Sequence, residues 1–578
     1  MLEPLILLSQ VPSQPSTWDR WMTLGVLVAL IVASVWLGTV AQRAMSRGTF
    51  LKGFFLGNRG LGAWAIALTA TVQSGGTFMG FPSLVYSHGW IVALWIGSYM
   101  VVPITGFGIV GKRIAQISRK TGAITMPDLY RERFGSPALG IVTSLLIVAF
   151  MTSMMVAQFK AGGMLMKLAF PGSNLAAVAD ESSPAAASGR REPADQGADA
   201  PRSPTIAGWW QNADKAYLLG LAIFSLTVVG YTLIGGFLAA VWTDLFQSVM
   251  MFIGVAILLC LSLYAVGGLQ AATERAIAKP EVGPALVFGP GLGRDFLPIS
   301  LAFSFFLFWP LTGFASPASV TRVMACKDIG TLRRSIVILC LYNTGIYLPL
   351  ICICICARAL LPDDLVAAGK SDEVVPRMAL LTTAGVPGGS LISGLILAAP
   401  FGAVMATVSA YLVVIASGLV RDLYQRFINP RATETQLKRW TWGAMIAVGL
   451  LAVALNIEPV RYLQAVVVFS GGCAAASFVV PCLMLCYWRR ATTAGVMAAM
   501  LTGAATMLAL YLIGFQTTDP GIGNATSFRP YFLWGLEPLL WGVGFSAIVG
   551  VIVTYLTPPT DEKLVAKFFD AAAPEAAS

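Results

Sequence analysis

The residues best suited to chemistry lie where an apolar run is interrupted. From Thr69 to Pro82 the chain reads TATVQSGGTFMGFP, placing Gln73, Ser74, Gly75, Gly76 and Thr77 where a lipid-facing helix would carry Leu or Val. Each glycine costs about 1 kcal/mol in a helix interior, and a backbone group freed inside a bilayer must find a partner. Unwound carbonyls suit a cation, and the first amides of the resumed helix suit an anion. The interruption therefore predicts a binding site at membrane depth. Ser74 and Thr77 offer hydroxyls there and Phe78 an aromatic wall. A second interruption, WPLTGFASP at 309–317, adds Trp309 and Phe314 as walls and Thr312 as a hydrogen-bonding group.

Charges inside apolar runs are few, and an ionisable group at that depth is a functional candidate. Asp244 is one, although an acid in the first turn of a helix is also favoured by the helix dipole. Lys160, with Gln158 two residues before it, is the charge that would select an acidic solute. The competing reading is a lysine whose long stem carries its ammonium to the interface. Enzymatic chemistry is not expected. The single histidine, His88, falls in a short polar turn, with no nucleophile–base set or metal-ligand spacing around it. The nine cysteines lie in apolar spans or in loops assigned to the cytoplasmic side. Cys352, Cys354 and Cys356 alternate without histidine partners, so they read as small buried hydrophobes.

The elements that must position these residues are membrane spans. A chain of 578 residues that is 57% hydrophobic and 11% charged, with mean hydropathy +0.75, lacks the polar residues to cover a water-soluble surface. Apolar runs of about 20 residues or more exclude a β-barrel. They occur near 21–42, 62–84, 90–111, 138–168, 216–236, 241–266, 296–320, 335–357, 389–420, 441–457, 462–487, 493–514 and 536–557. The fold class is thus an all-α integral membrane protein of about 13 transmembrane helices. The net charge of +10 is spread between the spans, which argues against a nucleic-acid partner. Most of the 38 Lys and Arg fall on one side if the N-terminus is outside and the C-terminus cytoplasmic. The segment 171–214, rich in Ala, Ser, Pro, Asp and Gly, is a mobile outside loop with no apolar periodicity.

The two interruptions sit five spans apart, a pointer to an inverted repeat with its site between two broken helices. The expected organisation is an outside tail over 1–20, an extra helix over 21–42, repeats over 62–266 and 296–487, two further helices over 493–557 and a cytoplasmic tail over 558–578. A channel would want an open filter or a charged ring instead of two broken helices closing on a site.

Several segments resemble the sodium/solute symporter family. They are YTLIGGFLAAVWTD at 231–244, LGNRG at 56–60, SGGTFMGFP at 74–82, TMPDLY at 125–130, AVMATVS at 403–409 and RDLY at 421–424. The resemblance covers roughly residues 50–515. It implies a LeuT-like five-plus-five inverted repeat that carries a small solute inward with a sodium ion by alternating access. It also implies a sodium site made by the carbonyls of Ala70, Gln73 and Ala403 and the hydroxyl of Thr407, with Asp244 and Ser409 on the ion path. Position 406 is Ala where the family commonly has Ser or Thr, so a proton-coupled or uncoupled carrier remains an alternative. Read alone, Thr407 is a helix hydroxyl bonding back to the carbonyl four residues earlier. Among substrates the segments look most similar to the pantothenate branch, with proline, monocarboxylate and sugar carriers sharing most of them. The implied setting is the plasma (inner) membrane, with the bilayer and a small solute as partners and no oligomer required.

Overall fold

A computed structural model describes residues 17–45, 54–55, 59–70, 74–170, 214–279, 287, 297–314, 316–362, 364–367, 370–384, 386–458, 463–516 and 530–569. Among them no β-strand occurs. The principal helices are α1 (Thr17–Met45), α2 (Ala63–Ala70), α3 (Phe81–His88), α4 (Lys112–Thr121), α5 (Met126–Phe134), α6 (Pro137–Ala169) and α7 (Lys215–Val266). They continue with α8 (Ile299–Phe314), α9 (Pro317–Met324), α10 (Ile329–Leu360), α11 (Val374–Thr383), α12 (Gly389–Ala416), α13 (Glu434–Ala454), α14 (Leu463–Tyr487), α15 (Thr493–Gln516), α16 (Pro538–Leu556) and α17 (Glu562–Phe569). The outermost parts of the sequence-assigned tails (1–16 and 570–578), nearly all of the 171–214 loop, and Gln73 lie outside the described residues.

Local chemistry sets many of the boundaries. Thr125 caps α5 by accepting from the Asp128 amide, with Pro127 in the first turn and Gly135 in the left-handed region at the end. Ser136 caps α6 ahead of Pro137, and Asp214 accepts the Ala216 and Tyr217 amides at the start of α7. At α13, Thr433 and Gln436 form a reciprocal capping box.

Ten of the described helices are long and apolar enough to cross a membrane, or eleven if α8 and α9, which meet at 43°, are one bent span. Helix α7 is 52 residues long, roughly 78 Å at 1.5 Å per residue, against a hydrocarbon core of about 30 Å. Gly236 breaks it with φ 57° and ψ −148°, so it supplies two spans where the sequence places 216–236 and 241–266. The interrupted pair α2 and α3 is a further broken segment among the described residues.

The α12 helix and its π-helical continuation to Ile428 form the central pillar. Its most apolar window is 94% buried, against 28% for α16 at the periphery. Helix α1 lies against α7 and α12, where Gln247 Nε2 donates to Ser34 Oγ at 3.3 Å and Thr23 Oγ1 meets Ser393 Oγ at 3.0 Å. The two broken spans are tied together by backbone. The Leu61 amide donates to Ala325 O at 3.3 Å and the Lys327 amide to Leu61 O at 3.1 Å, joining the entry of α2 to the exit of α9. At the far end of the chain, α17 seats Phe568 and Phe569 on the buried Arg133, whose guanidinium carbon is 5.8 and 5.2 Å from their ring centres. Burial, with the charge of Arg489, holds the Arg133 pKa down to about 10.

Gly236 is the backbone position most dependent on its residue type. Its φ and ψ belong to a region open essentially to glycine alone, and a Cβ there would stand 2.5 Å from the Phe54 ring. Gly236→Ala is expected to cost more than about 1 kcal/mol, read as a lowered midpoint of thermal unfolding in detergent. An unchanged midpoint would show that the break in α7 is not required.

Candidate functional site

Helix α2 ends at Ala70, and α3 is preceded by a π-helical turn, Gly76–Gly80. The freed amides find local partners. Gly75 N donates to Gln158 Oε1 of α6 at 2.7 Å, Gly76 N to Ser74 Oγ at 3.1 Å, and Ser74 N to Thr77 Oγ1 at 3.2 Å. Thr77 Oγ1 also shares a hydrogen bond with Tyr347 Oη of α10 at 3.0 Å. Three of the polar side chains assigned to the solute, Ser74, Thr77 and Gln158, thus hold the restarted helix together. Glycine is required for the closest of these approaches, since a Cβ on Gly75 would lie 2.7 Å from Ala161 Cβ.

On the pillar, Thr407 Oγ1 donates to Ala403 O at 2.9 Å and is fully buried. Two members of the expected ion-ligand set therefore sit together on one face of α12, linked by the helix back-bond anticipated from sequence. Ala70 is the last residue of α2. Ala406 is buried beside them and brings no side-chain oxygen.

Beside Ser409, farther along α12, lies a buried ion pair that the sequence reading half found. Asp244 Oδ2 accepts from Arg322 Nη2 at 2.8 Å, with both side chains 2% exposed. Ser409 Oγ is 3.5 Å from Asp244 Oδ1, and Arg322 Nε donates to Thr69 Oγ1 at 3.2 Å. Arg322, counted from sequence among the cytoplasmic topology residues, is instead turned into the protein. Its position in the last turn of α9 gave no sign of that, because its carboxylate partner comes from a different span. One carboxylate here neutralises a guanidinium within one residue of Ala70.

A second buried pair lies on the other side of the break. Lys160 Nζ is 2.7 Å from Asp372 Oδ2, with side chains 5% and 3% exposed. The same oxygen accepts the Leu463 amide at 3.3 Å. Lys160 therefore does not reach an interface, and its partner comes from the short helical turn Ser371–Glu373 ahead of α11.

Of the expected solute residues, Trp309 and Thr312 line a cavity of about 70 Å³, together with Tyr99, Met151, Met154 and Tyr411 among others. Trp309 stacks toward Trp95 and tilts onto Tyr99, at ring-centre distances of 6.2 and 5.0 Å. Among the described residues its Nε1 is buried without a hydrogen-bond partner, a donor left over on a residue of the cavity wall. Thr312 Oγ1 bonds back to Trp309 O at 3.0 Å. Phe78 and Phe314 belong to the apolar core and are not among the residues lining this cavity. Tyr99 and Tyr411 were not singled out from sequence, where a tyrosine in an apolar run has no mark separating a lining residue from a packed one.

A paired interruption, a hydroxyl-bearing face on the pillar and a cavity beside the second break form the arrangement of a carrier. The model of the sodium:solute symporter family matches residues 54–179 and 212–503. The chain belongs to that family. Among relatives, the sodium/pantothenate symporter of Haemophilus influenzae is 28% identical over 90% of this chain and 96% of its own length. The sodium/pantothenate symporter of Escherichia coli is also 28% identical, over 85% and 90%. An osmoregulated proline transporter of Bacillus subtilis is 26% identical over 93% and 96%. The solved structure of a Na+-coupled sialic acid symporter superposes with a TM-score of 0.67 at 18% identity, covering 93% of this chain and 98% of that one. That likeness confirms the fold, a LeuT-like helical bundle built on two broken spans. This symporter couples a small solute to sodium, and its family is one of transporters, not enzymes.

Two outcomes follow for the symporter's site. Gln158→Leu leaves the Gly75 amide buried and unpaired, at a cost of roughly 1–3 kcal/mol, while Gln158→Glu keeps an acceptor. The first variant is expected to melt lower than the second, and equal melting would remove Gln158 as the support of the break. Arg322→Gln strands a buried carboxylate and is expected to destabilise by about 3–5 kcal/mol. Combining it with Asp244→Asn recovers part of the loss in a double-mutant cycle, whereas additive losses would argue against the pairing.

Proposed function

We propose that this symporter carries a small carboxylate, with pantothenate the leading candidate, into the cell together with sodium across the plasma membrane. The observation that carries the acidic-solute reading is Lys160, a buried ammonium beside the first break that already holds a carboxylate at 2.7 Å. A carboxylate presented by a solute would meet the same cation. The sodium/pantothenate relatives, matched over most of both chains, support the choice of compound. The proline transporter, similar over as much of the chain, makes proline the comparison solute.

In this reading the ion is held by the carbonyls of Ala70, Gln73 and Ala403 and the hydroxyl of Thr407. These are hard oxygen donors of the kind such cations take. Asp244 and Ser409 line the ion's route, with Arg322 neutralising Asp244 when no ion is there. Trp309 and Thr312 wall the solute path, while Ser74, Thr77, Phe78, Gln158 and Phe314 shape it from behind. The Lys and Arg distribution supports an outside N-terminus and a cytoplasmic C-terminus.

Uptake of labelled pantothenate and proline into proteoliposomes tests the reading. Pantothenate uptake driven by an inward sodium gradient is expected, together with counterflow. Unchanged uptake when choline replaces sodium at fixed pH would defeat sodium coupling. Thr407→Ala removes one of the four protein oxygens and is expected to raise the half-saturating sodium concentration about tenfold, roughly 1.4 kcal/mol. Lys160→Gln is expected to weaken pantothenate more than its neutral alcohol analogue, pantothenol. Equal effects on both would remove Lys160 from recognition of the acid.

A further inference from the structure

Four arginines gather where α17 meets the C-terminal end of α14, the end that the Lys and Arg distribution assigns to the cytoplasm. The guanidinium carbons of Arg113 of α4, Arg133 of α5 and Arg489 of the α14–α15 turn lie 5.3, 5.2 and 5.5 Å from the ring centre of Phe569. That of Arg490, the next residue of the turn, lies 4.7 Å from the ring centre of Tyr555 on α16. Three cations around one phenyl ring stand at most about 11 Å apart, not far beyond the screening length of about 8 Å at physiological salt. Ring contacts offset part of their repulsion but carry no net charge. The described chain supplies little else. Arg113, Arg133 and Arg490 make no ion pair among the described residues, and Glu132, beside Arg133 in sequence, is already paired with Lys567 of α17 at 3.2 Å. Arg133 Nη2 donates to Arg489 O at 3.0 Å and Arg113 Nε to Cys486 O at 3.2 Å, so both side chains are fixed on the α14–α15 turn. Arg133 Nε and Nη1 are buried with no hydrogen-bond partner.

We propose that Arg113, Arg489 and Arg490 form a binding site for the phosphate of an anionic phospholipid. The surroundings select a lipid over a soluble phosphate. Helices α14 and α16 are both long and apolar enough to cross a membrane, and Leu483 and Tyr487 on the first and Tyr555 and Leu556 on the second are exposed near these ends. Arg489 and Arg490 come directly after α14 and the Trp488 that follows it, which sets them at headgroup depth with apolar side chains toward the bilayer. A guanidinium fork matches phosphate oxygens two at a time, and basic pockets between spans on the cytoplasmic side suit anionic headgroups. Arg133, enclosed by the rings of Phe134, Phe568 and Phe569, adds its charge from the buried side. A zwitterionic headgroup carries a cation of its own into this group and is disfavoured for that reason. A bound phosphate bridges α4, the α14–α15 turn and, through Phe569, the C-terminal helix. The assignment does not depend on which solute is carried.

The test follows thermal unfolding of the purified full-length protein in mixed micelles as phosphatidylglycerol replaces phosphatidylcholine, with native mass spectrometry counting bound lipids. The unfolding midpoint is expected to rise with phosphatidylglycerol, and Arg489→Gln with Arg490→Gln is expected to raise the half-saturating lipid fraction about tenfold. Arg333→Gln with Arg334→Gln removes two exposed charges from the start of α10, away from the cluster. This control is expected to change the lipid dependence less than about twofold, and both double variants are expected to match the wild type in phosphatidylcholine alone, which checks that they are folded. Equal weakening by the two double variants would mean attraction to overall charge, and an equal response to both lipids would mean no headgroup recognition; either overturns the site. A rise in midpoint produced as well by glycerol 3-phosphate would make the ligand a soluble phosphate and overturn the lipid assignment. Asp570→Asn with Glu575→Gln, which neutralises acids of the C-terminal tail, is expected to leave lipid affinity within about twofold. A tenfold gain would make the chain's own acids the occupant instead.

Discussion

The hydrogen bond from the Gly75 amide to Gln158 is the constraint on which the rest of the site depends. A helix restarted inside a membrane begins with amides that have no preceding carbonyl to meet and no water to replace it. Gln158, fully buried on α6, supplies the acceptor from another span, and Ser74 and Thr77 supply the others within the turn. The glycine at 75 is the geometric counterpart, because only a residue without Cβ lets α6 come close enough for the bond to form. The break is thus a joint between two spans, and what happens at α6 is felt at the start of the restarted helix. The backbone pairing of Leu61 with Ala325 and Lys327 joins the first broken span to the second. The parts that must change together in a carrier are in this way connected by short, directional contacts.

Buried charge is arranged around this joint in two neutral pairs. Lys160 meets Asp372 beside the restarted half, α3, and Arg322 meets Asp244 beside the preceding half, α2. Each pair links a residue within a long helix to one on a shorter element, the turn at 371–373 or the eight-residue α9. Breaking either pair without a replacement strands an ion in a low-dielectric interior, and a cation or a carboxylate arriving from solution is the natural replacement.

Much of this was legible in the sequence, and the remainder failed for a definable reason. Glycine and proline within apolar runs marked both broken spans, and the Gly235–Gly236 pair lies where α7 divides, because backbone freedom is written in residue type. The helix back-bond of Thr407 was also readable, since it requires only the residue four positions earlier. Lys160 and Asp244 stood out as ions at membrane depth, but their partners did not. Asp372 is 212 residues from Lys160 and Arg322 is 78 from Asp244, and nothing local in the sequence links either residue to its partner. Ser74, Thr77 and Gln158 were recognised as polar groups at the break but assigned outward to a solute. The chain's own unpaired amides were nearer claimants on those oxygens. A polar residue beside unwound backbone serves the backbone first.

The size of the cavity bears on what state these contacts describe. A volume of about 70 Å³ has room for a few waters, at roughly 10–15 Å³ of such space for each, and falls far short of the roughly 300–1,000 Å³ of pockets that enclose drug-sized ligands. The Lys160–Asp372 pair is closed at the same time, with Ser371 seated against α3. Admitting a solute to the cavity requires expanding a space walled by Tyr99, Trp309, Thr312 and Tyr411, which belong to three different parts of the bundle. The aromatic contacts of Tyr99 with Trp309 and Tyr347, at 5.0 and 4.5 Å, are among those that have to slide. Because Tyr347 also holds Thr77 at the break, expansion of the cavity and repositioning of the restarted helix draw on the same side chain. Movement at the second broken span is thereby coupled to the restarted helix of the first.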